Sequence, residues 1–125
     1  MPVLKDRVKD TSTTTGTGSF TLSGTAPTSY QSFATAFGGG GYPTSPFVYC
    51  IVDNTSGLWE TGTGYLSAAT TFVRDNAVFD GSSGAGVLVN FTVGTKDVFV
   101  TAPAHFLEDS DSGALLHKAT GMAIP

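Results

Sequence analysis

Residues 10–24, DTSTTTGTGSFTLSG, decide how the rest of the chain is interpreted. Thr, Ser and Gly make up most of this stretch, and Phe20 and Leu22 are its two apolar residues. These two residues alternate with Ser and Thr, which is the period-2 pattern of a strand with one buried face. The preceding threonines favour strands and can form cross-strand hydrogen bonds. We therefore predict a solvent-facing β-ribbon here rather than a linker.

Further segments with strand character follow at short intervals along the chain. FVYCIVD is apolar on both faces, which is typical of a central strand covered from two sides. The segment 58–66 is expected to return beside it as a hairpin partner after the turn DNTSG, and Pro103 ends hydrogen-bond donation in the last strand. The predicted strands or arms occupy residues 3–8, 19–23, 47–53, 58–66, 70–80, 86–93 and 97–106.

One short helix is predicted in SYQSFATAFG. Tyr30, Phe33 and Phe37 fall at i, i+3 and i+7, so they would form one apolar face. Ser29 can cap the start of this helix and Gly38 can end it. The glycine-rich residues 38–46 then form the most flexible segment of the chain.

Strand signals every ~8–12 residues indicate the fold class. We predict an all-β protein, a compact antiparallel β-sandwich or barrel with one short helix and extended terminal arms. Residues 1–107 form the predicted domain, with 1–10 as an N-terminal arm. Residues 108–125 form a C-terminal arm that packs on a neighbour or is a loose tail.

Charge is scarce in this chain and excludes several classes of protein. Only 13% of the 125 residues are charged, and the formal net charge is −4. Most of the six basic residues lie near the ends, at Lys5, Arg7, Lys9 and Lys118. No basic patch with interleaved aromatic residues exists, so we expect no nucleic-acid partner.

Cys50 is the single cysteine, which excludes an intrachain disulfide and a thiolate metal cluster. Because it lies in an apolar run, we expect a buried, inert thiol. No apolar run approaches the ~20 residues of a membrane helix. The first ten residues lack the apolar segment of a secretory leader, so we expect neither a membrane nor a signal peptide.

Two loops invite a ligand-binding interpretation. Gly16, Gly18 and Gly24 lack the strand before and the helix after that a phosphate-binding loop needs, so no nucleotide is predicted. Asp109 and Asp111 resemble the beginning of a calcium loop, but no bidentate Glu follows. A solvated acidic turn is favoured there, and a weak ion shared between subunits stays open as the alternative.

The remaining candidates for chemistry are equally sparse. His105 and His117 lack a partner at metal-ligand spacing. Asp53 and Glu60 flank a hairpin as a potential carboxylate pair, with nothing in the sequence to raise either pKa. Trp59 is interpreted as a core or interface aromatic rather than a sugar platform. We predict no catalytic residue, no cofactor and no metal.

An ordered set of motifs suggests a family. The segments are DRVKDTSTTTGTGSFTLSG, YQSFATAFG, YCIVDNTSGLWETGTG, TFVRDNAVFDGSSGAGVLVNF and GTKDVFVTAPA. Together, over roughly residues 5–104, they resemble a small β-rich module of tailed-bacteriophage structural proteins. The resemblance implies a virion surface component, free-standing or part of a tail protein, and carries no catalytic residue.

The first functional hypothesis is therefore a non-enzymatic capsid decoration, or cement, protein of the virion, made in the host cytoplasm. It would act as a homotrimer that bridges neighbouring subunits of the major capsid protein. The alternative is a tail or receptor-binding module that contacts a host surface through residues 38–46, Tyr42 and Trp59. A small glycan hydrolase would need two carboxylates in a cleft. The interface candidates are Leu115, Leu116, Met122, Ile124, Tyr42 and Trp59.

Overall fold

Six antiparallel strands and one short helix make up the fold. The structure is a computed structural model that describes residues 4–101, apart from the side chains of Asp75 and Asn76. In chain order the elements are β1 (Lys9–Ser12), β2 (Phe20–Thr21), α1 (Phe33–Phe37), β3 (Phe47–Asp53), β4 (Trp59–Ala68), β5 (Thr71–Gly81) and β6 (Lys96–Phe99).

The strands form one sheet that nearly closes into a barrel, in the order β1-β6-β3-β4-β5-β2. The two edge strands meet through a bridge between Ser12 and Leu22. Ser12 Oγ also donates to the carbonyl of Thr21 at 2.8 Å, and the N–H of Ser23 donates to Thr11 at 2.9 Å. The predicted all-β fold with one short helix is confirmed, and its architecture is a barrel.

The threonine- and glycine-rich stretch supplies both edges of this barrel. Its first strand, β1, pairs with β6, and its second, β2, pairs with β5. The two strands of the stretch contact each other at the Ser12–Leu22 bridge, and each pairs on its other side with a longer strand of the sheet. We call this stretch the seam of the barrel, because the two edges of the sheet meet there.

The interior is filled by the inward-facing residues of the strands. On β3 the buried residues Phe47, Tyr49 and Ile51 alternate along one face, and β3 lies between β6 and β4 as the sequence predicted for a central strand. Helix α1 closes one end, because Phe33 is fully buried and its ring lies 5.3 Å from that of Phe47. Phe37 stacks on Phe47 at 4.3 Å.

The helix begins later than the sequence predicted. It starts at Phe33, and Ser32 is the capping residue because its side chain accepts from the N–H of Thr35 at 3.1 Å. Ser29 lies outside the helix with a left-handed φ of 70°, so its assignment as the cap was wrong. Gly38 does end the helix.

Two glycines let β4 and β5 pack closely. A Cβ on Gly62 would lie 2.2 Å from the carbonyl oxygen of Ala77, and one on Gly64 would lie 2.4 Å from that of Val73. The pairing register shifts at these glycines. Side chains cannot be accommodated there, so the Gly-x-Gly spacing is a packing requirement.

Two predicted strands are not strands in the structure. Within residues 3–8, Val8 forms one bridge to Gln31, and the regular strand begins at Lys9. Residues 86–93 form a loop with one bridge, from Phe91 to Gly16. In this loop the side chains of Glu60 and Arg74 bind the N–H and the carbonyl of Val89, which a neighbouring strand would otherwise bind.

Candidate functional site

A buried ion pair occupies the middle of the barrel. Glu60 on β4 and Arg74 on β5 have fully buried side chains, and Arg74 Nη1 lies 2.9 Å from Glu60 Oε1. The N–H of Val89 donates to the same oxygen at 2.7 Å, and the hydroxyl of Tyr49 donates to Oε2 at 2.6 Å. The Glu60 carboxylate thus receives hydrogen bonds from three sides, as a stable buried charge requires.

Arg74 binds the backbone of both the Thr-Gly stretch and the neighbouring loop 86–93. Its Nε donates to the carbonyl of Gly18 at 3.0 Å, and its Nη2 donates to those of Gly16 and Val89 at 2.7 Å each. The guanidinium also lies over the rings of Phe20 and Phe91, at 4.9 and 5.1 Å. One side chain therefore fixes the Thr-Gly turn and the loop 86–93.

The two carboxylates that flank the hairpin have separate sets of hydrogen-bond donors. Glu60 pairs in register with Ile51, and Asp53 lies two residues further along β3. Asp53 Oδ1 accepts from the N–H groups of Thr55 and Ser56 at 2.9 and 3.2 Å. Each carboxylate is therefore bound to its own donors within the fold, and these hydrogen bonds stabilise the barrel and the turn after β3.

Asp53 also faces Lys96, its register partner on β6. Burial raises the pKa of Asp53, but the N–H groups of Ser56 and Thr55, the Ser56 hydroxyl and the Lys96 charge outweigh it and hold that pKa below 3.8. Burial lowers the pKa of Lys96 below 10.5, and the Asp53 charge offsets this in part. Within residues 4–101, Asp53 Oδ2 and Lys96 Nζ are buried without a hydrogen-bond partner.

The two aromatic interface candidates lie at opposite ends of the barrel. Tyr42 and Trp59 are 41% and 39% exposed, as an interface role requires. Thr44, two residues after Tyr42, exchanges hydrogen bonds with the backbone of Leu66. Leu66 lies toward the end of β4, whereas Trp59 is the first residue of that strand. Seven residues of strand separate Leu66 from Trp59, which corresponds to about 23 Å. The structure therefore does not bring Tyr42 and Trp59 into one binding face.

Two open surface depressions lie toward the end of the barrel that holds α1. The first has a volume of about 370 Å³ and is lined mainly by the glycine-rich segment and Lys5. The second, which we call the Tyr30 pocket, has a volume of about 400 Å³. Its lining residues are Arg7, Val8, Lys9, Tyr30, Phe99 and Val100.

The Cys50 thiol is half-buried on β3. Burial raises its pKa to about 11, so the thiol is protonated at neutral pH. The sequence predicted a buried thiol, whereas the side chain is only half-buried; its raised pKa favours the inert state that was expected.

Several sequence candidates lie outside the described residues. They are His105, His117, Asp109, Asp111, Leu115, Leu116, Met122 and Ile124. Within residues 4–101, no group of three or more His, Cys, Asp or Glu side chains is placed to hold a metal ion. No helix in this part of the chain is long and apolar enough to span a bilayer.

Comparisons with protein-family models, with curated proteins and with solved structures find no match to this chain.

Sequence reasoning missed both the Glu60–Arg74 ion pair and the Tyr30 pocket. A signal for the ion pair exists: Arg74 is two residues from the inward-facing Phe72, and Glu60 is two residues from Gly62, so strand alternation turns both charges inward. The Tyr30 pocket was harder to predict from the sequence, because its cations, Arg7 and Lys9, are more than 20 positions from the Tyr30 ring that they contact.

Proposed function

We propose that this chain is a non-enzymatic structural protein of a tailed-phage virion, and that it acts as a small capsid decoration protein. In this role, homotrimers bridge neighbouring subunits of the major capsid protein. A stable protein contact of this kind buries about 800 Å² per partner. Several weak contacts in one trimer then add by avidity.

The observation that carries the proposal is where the family-like motifs fall in the fold. The acidic residue of the WETGTG motif is Glu60, and the arginine of the TFVRDNAVF motif is Arg74. These two residues form the buried ion pair, and Gly62 and Gly64 permit close strand packing. The residues of these motifs therefore hold a scaffold together, which is what a lattice-stabilising protein needs.

The distribution of charge supports a role without catalysis. The carboxylates of Glu60 and Asp10 are buried and hydrogen-bonded, Asp10 by Ser23 Oγ, by the N–H of Thr11 at 2.7 Å and by that of Gly24 at 3.0 Å. Among the described residues these groups are structural. A rigid barrel of this type resists deformation and suits repeated contacts with neighbours.

A tail or receptor-binding module remains the second candidate, and one observation favours it. Val87 and Val93 are 48% and 85% exposed in the loop between β5 and β6, at the same end of the barrel as Trp59. Exposed apolar residues grouped at one end of a domain are typical of a contact surface. In that role, this end would meet a host protein or glycan.

The test is binding of the purified chain to separated heads and tails of the phage that encodes it, followed by sedimentation. We expect the chain to sediment with DNA-filled heads that lack their own copy and to remain unbound with tails. Binding to tails alone would establish the second candidate. Binding to neither would contradict both.

Two changes identify the contact surface in the same assay. We expect deletion of residues 108–125 to leave a folded domain that no longer sediments with heads. We also expect Trp59→Ala to lower folding stability or head binding, and Tyr42→Ala, which changes the interface candidate at the opposite barrel end, is measured beside it to show which end makes the contact. Unchanged thermal stability and head binding for Trp59→Ala would remove Trp59 from the interface.

A further inference from the structure

The exposed positive charges of the described chain lie in one short segment. Arg74 and Lys96 are buried, whereas Lys5 and Arg7 are exposed and Lys9 is half-exposed. Within residues 4–101, the ion pair with atoms closer than 4 Å is Glu60–Arg74. Lys5, Arg7 and Lys9 therefore have no carboxylate within 4 Å in this part of the chain. The part of the chain from residue 4 to residue 101 thus carries a local basic surface, although the formal net charge of the protein is −4.

Two of these cations share a single aromatic ring in the Tyr30 pocket. The Arg7 guanidinium carbon lies 4.0 Å from the centre of the Tyr30 ring, and Lys9 Nζ lies 5.3 Å from it. Lys9 also pairs in register with Phe99, which forms another wall. Two like charges held against one ring are stabilised when an anion joins them.

Backbone contacts fix the shape of this pocket. Arg7 has a left-handed φ of 56°, and its Nε donates to the carbonyl of Ser29 at 3.1 Å. The N–H of Gln31 donates to the carbonyl of Arg7 at 2.7 Å, and its side-chain amide donates to that of Asp6 at 2.7 Å. A conformation that is uncommon for arginine is thus held from both sides, so the pocket exists before any ligand binds.

The chain itself contains an acidic segment that fits this surface. Residues 108–111, EDSD, provide three carboxylates within four residues. They follow Val100, which lines the pocket, by eight residues. The carboxylates of this segment have the charge that the exposed cations of the pocket require.

We propose that the Tyr30 pocket binds the acidic segment 108–111 of a second copy of this chain. Arg7 and Lys9 meet its carboxylates, and Phe99 packs against the apolar residues that precede them in the sequence. This inference rests on the self-association included in the proposed function, and it names the surface that produces it.

Two charge-reversed variants of the full chain test the contact. The first carries Arg7→Glu and Lys9→Glu, and the second carries Glu108→Lys and Asp109→Lys. The second variant brings the formal net charge from −4 to zero, so weaker association there cannot come from overall repulsion. Both are measured by sedimentation velocity over a concentration series, beside the wild type and a chain that combines all four changes.

We expect the wild type to associate, and each variant alone to need a roughly tenfold higher concentration, since several exposed charge pairs are reversed. An equimolar mixture of the two variants should associate at a lower concentration than either variant alone, because the pocket of each variant meets an arm of opposite charge on the other. A ring of three copies cannot alternate the two variants completely, so the mixture should recover only part of the wild-type association. The combined chain should regain wild-type association, which shows that the changes do not prevent folding. Raising the salt to about 1 M should weaken wild-type association.

Three results would overturn the inference. If the wild type associates and both single-surface variants do so equally well, self-association stands and the pocket is not its site. If the combined chain recovers but the mixture associates no better than either variant alone, the acidic segment occupies the pocket of its own chain. A wild type that is monomeric at every concentration would refute the self-association itself, while the binding of the chain to heads is decided separately.

Discussion

Replacing Arg74 with methionine should disrupt the barrel at its centre. Methionine is similar in length but has no donor groups, so the carboxylate of Glu60 would remain buried without its cation. The carbonyls of Gly18 and Val89 would also lose the donor that Arg74 provides, whereas the carbonyl of Gly16 would keep the N–H of Phe91 at 3.2 Å. The seam and the loop 86–93 would then be joined by the Gly16–Phe91 backbone bridge without the guanidinium contacts.

The expected cost is large relative to the stability of a small domain. Removing one partner of a buried ion pair costs about 3–5 kcal/mol, whereas a domain of this size is stable by about 5–15 kcal/mol in total. With a urea m-value of about 2 kcal/mol per molar, the unfolding midpoint should fall by about 2 M. Urea unfolding followed by Trp59 fluorescence and by circular dichroism measures this shift.

Two further variants separate the charge from the contacts. Glu60→Gln combined with Arg74→Met should cost less than the sum of the two single changes, because the double variant contains no buried unpaired charge. Arg74→Lys keeps the charge but cannot reach three carbonyls in a fixed fork, so it should remain clearly destabilised. A cost of under about 1 kcal/mol for Arg74→Met, or strict additivity in the double variant, would refute the role assigned to this pair.

Three other predictions concern packing, acid stability and thiol reactivity. Gly64→Ala should cost about 1–3 kcal/mol of folding stability, because its Cβ would meet the Val73 carbonyl at 2.4 Å. The control Gly39→Ala adds the same atoms in open space and should leave the melting temperature almost unchanged. Equal melting temperatures for the two variants would contradict the close-packing explanation. Because the folded pKa of Asp53 lies below its ordinary value of 3.8, its contribution to stability is complete above that value and is lost as the pH falls through the folded pKa. Asp53→Asn should therefore flatten the acid limb of the stability curve measured by urea unfolding at each pH, and an unchanged acid limb would exclude this contribution. With a pKa of about 11 against an ordinary 9.0, the folded Cys50 should contain roughly a hundredfold less thiolate near pH 8 than a free thiol. It should therefore react slowly with iodoacetamide until urea unfolds the chain. Rapid alkylation of the folded protein would show that the thiol is not shielded.

The strands that the sequence predicted well are those whose pattern is independent of distant partners. The segment FVYCIVD is apolar on both faces and becomes β3, and alternation in the following two segments becomes β4 and β5. The aromatic spacing of Phe33 and Phe37 located the helix. Its cap was misplaced because Ser29 and Ser32 are chemically equivalent, and the choice depends on the left-handed backbone that Ser29 adopts beside Arg7.

The loop 86–93 shows why the remaining structure could not be predicted from local pattern. Val89 and Phe91 alternate as strand residues do, and both are buried. Their neighbours in space, however, are the side chains of Glu60 and Arg74, which bind both the N–H and the carbonyl of Val89. Periodicity reports which residues face inward, but it cannot report whether a strand or a side chain satisfies the backbone.

The candidate surfaces depended even more on tertiary structure. Exposure of Trp59 and Tyr42 agrees with the sequence-based choice of interface residues, but their placement at opposite ends of β4 requires the register of the sheet. The Tyr30 pocket joins residues more than 20 positions apart through the bridge of Val8 to Gln31. Such a contact has no period or spacing that a single sequence reveals.

The proposed role in the capsid is tested most directly by the copy number of the chain in purified virions. Quantitative mass spectrometry of intact particles gives its ratio to the major capsid protein. A decoration protein should be present in a ratio close to one copy, or one copy per few copies, of the capsid subunit. A ratio typical of tail components, or absence of the chain from washed particles, would contradict the account.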